Sequence, residues 1–101
     1  GRRRGEPEHP AEQNRLYRQA LDARNSGDEA RAIALLDSLI ARHPGSPLRQ
    51  EAEVERFRAL SRIGRTTEAV RAARRYLSDY ETGFARDEAE ALALPSARPT
   101  P

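Results

Sequence analysis

The sequence predicts an all-α protein made of stacked helical hairpins. Apolar residues recur at the spacing of an α-helix, and no stretch alternates with the two-residue period of a strand. The chain also repeats itself after 37 residues, since RQEAE at residues 49–53 returns as RDEAE at residues 86–90. Repetition of a helix, a turn and a second helix is typical of a solenoid, in which neighbouring units bury one continuous core.

The breaks between the first helices follow from glycine and proline. The first helix is expected to end at Gly27, because glycine readily takes the left-handed conformation that closes a helix. Either Ser26, which has capping-box spacing to Glu29, or Asp28 then caps the second helix. The segment HPGSP at residues 43–47 ends that helix and contains Ser46, the predicted N-cap of the third.

The later helices are delimited in the same way. Gly64 is expected to end the third helix, and Thr66 is expected to cap the fourth. Thr82-Gly83 is expected to end the fourth helix, and a short fifth helix is predicted from Phe84 to Leu94. Its apolar stripe would cover the second hairpin as a cap and consists of Phe84, Ala85, Ala89 and Leu92.

The 37-residue register divides the chain into units. It aligns Gly27 with Gly64 and Ala32 with Ala69, so both alanines are expected to be buried where helices approach closely. The domain organisation predicted from this register is a linker at 1–10, a repeat domain at 11–94 and a proline-rich tail at 95–101. Within the domain, the first repeat covers about 12–48, the second about 49–83 and the capping helix about 84–94. Both ends lack apolar periodicity, which predicts disorder.

Composition excludes several classes of protein. A chain of 101 residues is one small domain, and the absence of cysteine excludes disulfide scaffolds and thiolate chemistry. Because the chain has no Met, even at position 1, we expect it to be a segment of a longer protein. All 18 basic residues are arginine, which suits bidentate recognition of anions but also fits the codon bias of a GC-rich bacterial genome.

The charges are unevenly distributed. Residues 49–75 hold eight arginines and four acidic residues, whereas residues 76–94 hold one arginine and five acidic residues. A basic second hairpin is therefore followed by an acidic helix, and their adjacent faces are expected to attract each other.

At its turn and helix positions the chain resembles the tetratricopeptide repeat family. The family's sequence pattern has a turn glycine, a small residue, large residues and a closing proline. In this chain the pattern is matched by Gly27, Ala32, Leu36, Leu39 and Pro44. The second unit fits less well, since Glu81 stands where the closing proline would be. The loop sequence ARHPGSPL at residues 41–48 is similar to loops in the tetratricopeptide-like regions of three groups of bacterial proteins. These are outer-membrane assembly lipoproteins, Tol-Pal-associated periplasmic proteins and the extracytoplasmic parts of membrane-bound anti-sigma factors.

The resemblance implies a right-handed α-solenoid whose first helices line a concave surface that grips a peptide or a partner's helix. Carried over by position, the partner-binding residues would be Asn14, Tyr17, Leu21, Arg24 and Asn25 in the first unit, with Val54, Arg58 and Arg62 in the second and Glu51 and Ser61 beside them. An apolar anchor next to arginines would suit an acidic or carboxylate ligand. Two alternatives stay open: the tyrosine and leucine pack against the neighbouring hairpin, or the arginines only form ion pairs along a solvated helix.

Other functions have weaker support. His9 and His43 lie outside any catalytic constellation, the pair Glu51 and Glu55 lacks apolar surroundings, and no group has metal-ligand spacing, so we expect neither an enzyme nor a cofactor or metal site. Nucleic-acid binding through the arginine-rich second hairpin is the main alternative, because the RRR at residues 2–4 and Arg71, Arg74 and Arg75 could neutralise phosphates.

The sequence therefore predicts a non-catalytic protein–protein interaction scaffold. Its partner would be another protein or peptide, including an acidic one, or a second copy of the chain. The loop resemblance implies a periplasmic or other extracytoplasmic place within a larger bacterial envelope or signalling protein, such as a membrane-bound anti-sigma factor, with a cytoplasmic location as the alternative.

Overall fold

Five α-helices follow one another in the computed structural model, which describes residues 10–94. They are α1 (Pro10–Asn25), α2 (Glu29–Arg42), α3 (Arg49–Arg62), α4 (Thr66–Asp79) and α5 (Arg86–Ala93). This range contains no strand, which confirms the all-α prediction. The helix α1 begins at Pro10, inside the predicted linker, and the rest of that linker and the tail at 95–101 lie outside the described residues.

The helices pack in the order expected of a repeat. The pairs α1–α2 and α3–α4 form two hairpins, while α2 packs on α3 and α4 packs on α5 to join the units. Both hairpin turns close on a glycine with positive φ, Gly27 at 86° and Gly64 at 81°. At each turn the next residue's N–H donates to the carbonyl of the last helical turn, from Asp28 to Ala23 and from Arg65 to Leu60. The predicted turns are thus matching Schellman closures.

The capping predictions were partly wrong. Asp28, not Ser26, caps α2 by accepting a hydrogen bond from the Arg31 backbone N–H at 3.1 Å. Its equivalent in the second unit is Arg65, whose side chain forms no cap, and Thr66 is the first residue of α4 instead of its N-cap. The second hairpin therefore lacks a helix cap that the first one has.

Ser46 does not cap α3 either, because the return loop uses its hydroxyl in another way. The Ser46 Oγ donates to Gln13 Oε1 at 2.6 Å and accepts from the Leu48 N–H at 2.9 Å, so α3 begins later, at Arg49. In the second unit Tyr76 replaces this hydroxyl: its OH donates to Gln50 Oε1 at 2.7 Å and accepts from the Ala85 N–H at 3.1 Å. Both return loops are thereby fixed to the preceding first helix.

The core runs through both units and is built largely from small residues. Ala32 and Ala69 are buried, as the register predicts, and the largest fully buried side chains are Tyr76, Phe57, Leu36, Leu39, Leu60 and Val54. The rings of Phe57 and Tyr76 meet edge to face with their centroids 5.7 Å apart. Alanines let the helix backbones approach, and the few large side chains fill the remaining space.

The fifth helix packs against the second hairpin through one side only. Ala85, Ala89 and Ala93 are buried against the core cluster that contains Phe57 and Tyr76. Phe84 was predicted to belong to this apolar stripe, but its side chain is 61% exposed because it lies in the turn before α5 begins. The buried stripe is therefore made of alanines, with Leu92 partly buried at its edge.

Candidate partner-binding surface

The first helices of the units, α1, α3 and α5, share one side of the molecule, here called the A-helix face. Charged side chains connect these helices across that face. Arg24 of α1 donates to Glu55 Oε1 at 2.9 Å, and Arg58 of α3 donates to Glu55 Oε2 at 3.0 Å. Arg58 also binds both oxygens of Glu88 on α5, at 2.8 and 2.7 Å. The predicted attraction between the basic hairpin and the acidic helix is confirmed by this pair.

The bidentate pair between α3 and α5 alters the acidity of both partners. The hydrogen bonds from Arg58 lower the pKa of Glu88 below its ordinary value, and burial opposes this only in part. The same bonds raise the pKa of Arg58. Charge-assisted fork geometry of this kind fixes orientation as well as adding energy. The guanidinium of Arg58 is consequently already occupied by carboxylates of the chain itself.

Arg62, the last residue of α3, is occupied in a similar way. Its guanidinium donates to both oxygens of Glu29 at the start of α2, at 2.6 and 3.1 Å. These hydrogen bonds lower the pKa of Glu29. The bond joins the two units and places a negative charge in the first turn of α2, where the helix dipole favours it.

Tyr17 and Leu21, the predicted apolar anchor, are both half-buried on α1. The Tyr17 ring packs against the core cluster of the first unit, and burial together with the nearby carboxylates of Glu55 and Glu51 raises its pKa. Asn14 and Asn25 are exposed, and Asn25 accepts hydrogen bonds from Arg24 at 3.0 and 3.2 Å. The Tyr17 ring therefore packs against the core on one side and remains partly exposed on the A-helix face on the other.

Val54 was wrongly assigned to the binding surface. Its side chain is only 1% exposed and lies in the same core cluster as Phe57 and Tyr76. The transferred position therefore faces the core between α3, α4 and α5. A partner could not contact Val54 without unfolding this core.

An open groove of about 400 Å³ lies between α3 and α5 on the A-helix face. Its lining combines apolar and polar side chains, namely Phe57, Arg58, Ser61, Arg62, Glu88, Ala91 and Leu92. The contribution of α5 was missed from the sequence, where Leu92 was assigned only to the capping stripe. The only available signal was the acidic character of that helix beside the basic hairpin.

Two further features concern buried polar groups. Glu51 Oε1 is shielded from solvent and has no hydrogen-bond partner among the described residues. His43 is buried and its Nε2 lies 3.0 Å from Glu12 Oε1, which places it in the contact between the ends of α1 and α2. Among residues 10–94 no cluster of three or more His, Asp or Glu side chains is arranged to hold a metal ion.

The comparisons with known proteins identify a family. Among the described helices, none combines the length and apolar character that crossing a bilayer would require. Neither the curated proteins nor the solved structures include a significant match to the chain. A family model named YfiO and described as an outer membrane lipoprotein matches residues 9–93. The match agrees with the predicted resemblance to tetratricopeptide-like outer-membrane assembly lipoproteins, and the chain belongs to the YfiO family of outer membrane lipoproteins.

Proposed function

We propose that the chain is a non-catalytic interaction module whose A-helix face holds a segment of another protein. The observation that carries this proposal is the groove of about 400 Å³ between α3 and α5. Its lining includes the partly buried Leu92 and the exposed Ala91 and Ser61. A concave, partly apolar groove with a few polar groups is the usual form of a site that receives side chains.

The charges of the face indicate how such a segment would be held. Arg24, Arg58 and Arg62 each bind a carboxylate of the chain, so an acidic ligand could reach them only by displacing Glu55, Glu88 or Glu29. The Arg58–Glu88 pair is exposed enough for such an exchange to be nearly neutral, whereas displacing the buried Glu55 or the partly buried Glu29 would cost more. We therefore expect apolar contacts to supply most of the affinity and the arginines to align the segment.

A hydrogen-bond donor of the partner would find an acceptor at Glu51 only if this side chain turned outward. Its Oε1 is buried without a partner among the described residues, and an unpaired buried oxygen is costly. A rotamer that exposes the oxygen to an N–H of the bound segment would remove that cost. The nearby Tyr17 ring offers a half-buried apolar surface beside it.

The cellular setting is a further part of the proposal. The family is described as an outer membrane lipoprotein, which supports an extracytoplasmic place in the bacterial envelope. The family match supports a scaffold of the cell envelope. The anti-sigma-factor setting is supported only by the resemblance of the loop at residues 41–48. Self-association is the alternative occupant of the A-helix face, because a second copy would present the same mixture of apolar and charged groups.

Nucleic-acid binding by the second hairpin is less well supported by the geometry. Six of its eight arginines form ion pairs with carboxylates of the chain: Arg49, Arg56, Arg58, Arg62, Arg65 and Arg75. Binding phosphate through these six would require breaking the pairs, which leaves Arg71 and Arg74 as the arginines of this hairpin that have no ion pair with a described residue. The segment also lacks exposed aromatic side chains on which single-stranded bases could stack.

Site-specific photocrosslinking in the full-length protein tests the proposal. The crosslinking amino acid p-benzoylphenylalanine is placed at Ser61 or Asn14 on the A-helix face, and at Ala34 on the exposed side of α2 as the matched control. We expect one discrete protein adduct from the first two positions and none from Ala34. Adducts of equal yield from all three positions, or none from any, would refute the assignment of the face.

A further inference from the structure

A second groove lies on the opposite side of α3 from the A-helix face. It has a volume of about 350 Å³ and is here called the α2–α4 groove. Its apolar lining comes from Ile40 and Ala41 of α2 and from Ala72 of α4. Its charged lining consists of Asp37, Glu53, Arg56 and Arg75. Because successive residues of a helix are about 100° apart, Arg56 and Arg58 point to different sides, so the two grooves are separate surfaces.

The carboxylates that line this groove are hydrogen-bonded to arginines, whereas Arg75 of α4 forms only a long ion pair. Asp37 binds Arg56, and Glu53 accepts from Arg49 at 2.7 Å. Arg75 is 72% exposed and its nearest acidic oxygen, on Asp79, is 3.8 Å away. This distance is too long for a hydrogen bond. The guanidinium of Arg75 at the α2–α4 groove is therefore exposed and only weakly paired, so a ligand's carboxylate could bind it.

Two further arginines of α4 do not line this groove but line a neighbouring depression on the same helix. Arg71 and Arg74 are exposed on α4 and form no ion pair with another described residue. Arg71 and Arg75 are four residues apart, so they lie on one side of the helix about 6 Å apart at their Cβ atoms. Carboxylates three or four residues apart on a bound helix have the same spacing, and each could bind one guanidinium.

We propose that the α2–α4 groove is a second docking surface, which receives an acidic amphipathic segment of a partner protein. An aliphatic side chain of that segment occupies the space between Ile40, Ala41 and Ala72, and its carboxylates bind Arg71 and Arg75. The apolar floor favours a peptide over a nucleic acid, since it gives no benefit to a phosphate backbone and contains no aromatic ring for a base. The surface is independent of the A-helix face and of the function proposed for it.

Fluorescence anisotropy with a synthetic probe tests the proposal. The probe is a labelled 15-residue helical peptide with one leucine stripe flanked by glutamates, and the reference peptide replaces every glutamate with lysine. We expect Arg71→Glu combined with Arg75→Glu to weaken binding of the acidic probe at least about tenfold, because two charge pairs become repulsive. The matched control combines Arg15→Glu with Arg18→Glu, which reverses two exposed arginines on α1 that form no ion pair with another described residue, and it should change the affinity less than about twofold.

A second pair of variants tests the apolar part of the groove. Ala41→Phe fills the groove from an exposed position and should weaken the probe, whereas Ala34→Phe, about two turns away on the same helix, should not. Circular dichroism establishes that every variant keeps its helicity. The proposal is overturned if the lysine peptide binds as well, if the control reversals weaken the probe equally, or if only a DNA duplex responds to the α4 reversals.

Discussion

At the residue scale, the two return loops solve one hydrogen-bonding problem with different side chains. In the first unit a loop serine supplies the hydroxyl that meets Gln13, and Leu39 fills the adjacent core. In the second unit the aligned positions are Gly83 and Tyr76, and the tyrosine supplies both the apolar bulk and the hydroxyl that meets Gln50. Gly83 has no positive φ, so a glycine is needed there for space: a Cβ would overlap the Tyr76 hydroxyl.

This exchange predicts strong coupling between Gly83 and Tyr76. Gly83→Ser alone should destabilise the chain by about 1–3 kcal/mol, because the new side chain collides with the tyrosine. Adding Tyr76→Leu should restore part of that loss, since the pair then reproduces the first unit and the serine can donate to Gln50. Chemical denaturation of the single and double variants should give a coupling energy of about 1 kcal/mol or more. Additive effects would show that the two loops are not equivalent.

These loop residues show which contacts of single side chains could be predicted from the sequence and which could not. The 37-residue register aligns Gly83 with Ser46. The pattern alone does not reveal that Tyr76, a residue of α4, supplies the hydroxyl that the loop serine supplies in the first unit. Val54 and Phe84 were misplaced for a related reason. Each has an apolar neighbour at helical spacing, and only the packing of α4 and the start of α5 at Arg86 decide which side chain is buried.

At the scale of elements, the fifth helix is held by two kinds of contact. Its alanines pack into the core cluster that contains Phe57 and Tyr76, and the bidentate pair from Arg58 to Glu88 fixes the side that faces α3. An eight-residue helix is too short to be stable alone in water, so these tertiary contacts must supply its stability. The charge shift from a basic hairpin to an acidic helix was visible in the sequence, and it correctly predicted this attraction.

The ionic contact predicts a pH dependence with a definite sign. Since Arg58 lowers the pKa of Glu88 in the folded chain, the ionised carboxylate stabilises the fold above its ordinary pKa near 4.5. That contribution is lost as the pH falls through the lower folded pKa. Urea denaturation should therefore show Glu88→Gln less stable than the parent at pH 5.5–7, with the difference shrinking toward pH 3.

Glu81→Gln provides the matched control for this measurement. Glu81 is exposed in the turn after α4 and forms no ion pair with another described residue. Its substitution should leave a stability difference that hardly changes over the same pH range. A difference for Glu88→Gln that stays constant or grows toward acid would contradict the assigned role of the pair.

At the scale of the whole molecule, the two sides of α3 differ in how their charges are balanced. The arginines of the A-helix face are bound by Glu29, Glu55 and Glu88, so that side offers aligned but neutralised groups around an open groove. On the side formed by α2 and α4, Arg75 has only a long contact to Asp79, and Arg71 and Arg74 form no ion pair with a described residue beside the α2–α4 groove. A module with two such surfaces could hold two partners at once, as a scaffold requires.

The fold at this scale was largely predictable, and the site was not. Repeat register, turn glycines and buried alanines such as Ala32 and Ala69 depend on local spacing, which a sequence displays directly. Arg58 and Arg62 form ion pairs with carboxylates about 30 residues away in the sequence, and local residue spacing does not reveal such distant pairs. An arginine-rich helix therefore suggested an anion site where the structure has an internal network.

The most direct test of the account is the affinity of the photocrosslinked partner for two full-length variants measured side by side. Ser61→Trp places a bulky side chain at the rim of the groove between α3 and α5, and Ala34→Trp places one on an exposed part of α2. Both should keep the helicity of the parent. We expect Ser61→Trp to weaken binding at least about tenfold and Ala34→Trp to leave it within about twofold, since only the first obstructs the groove. Equal affinities for the two variants would contradict the claim that the A-helix face holds the partner.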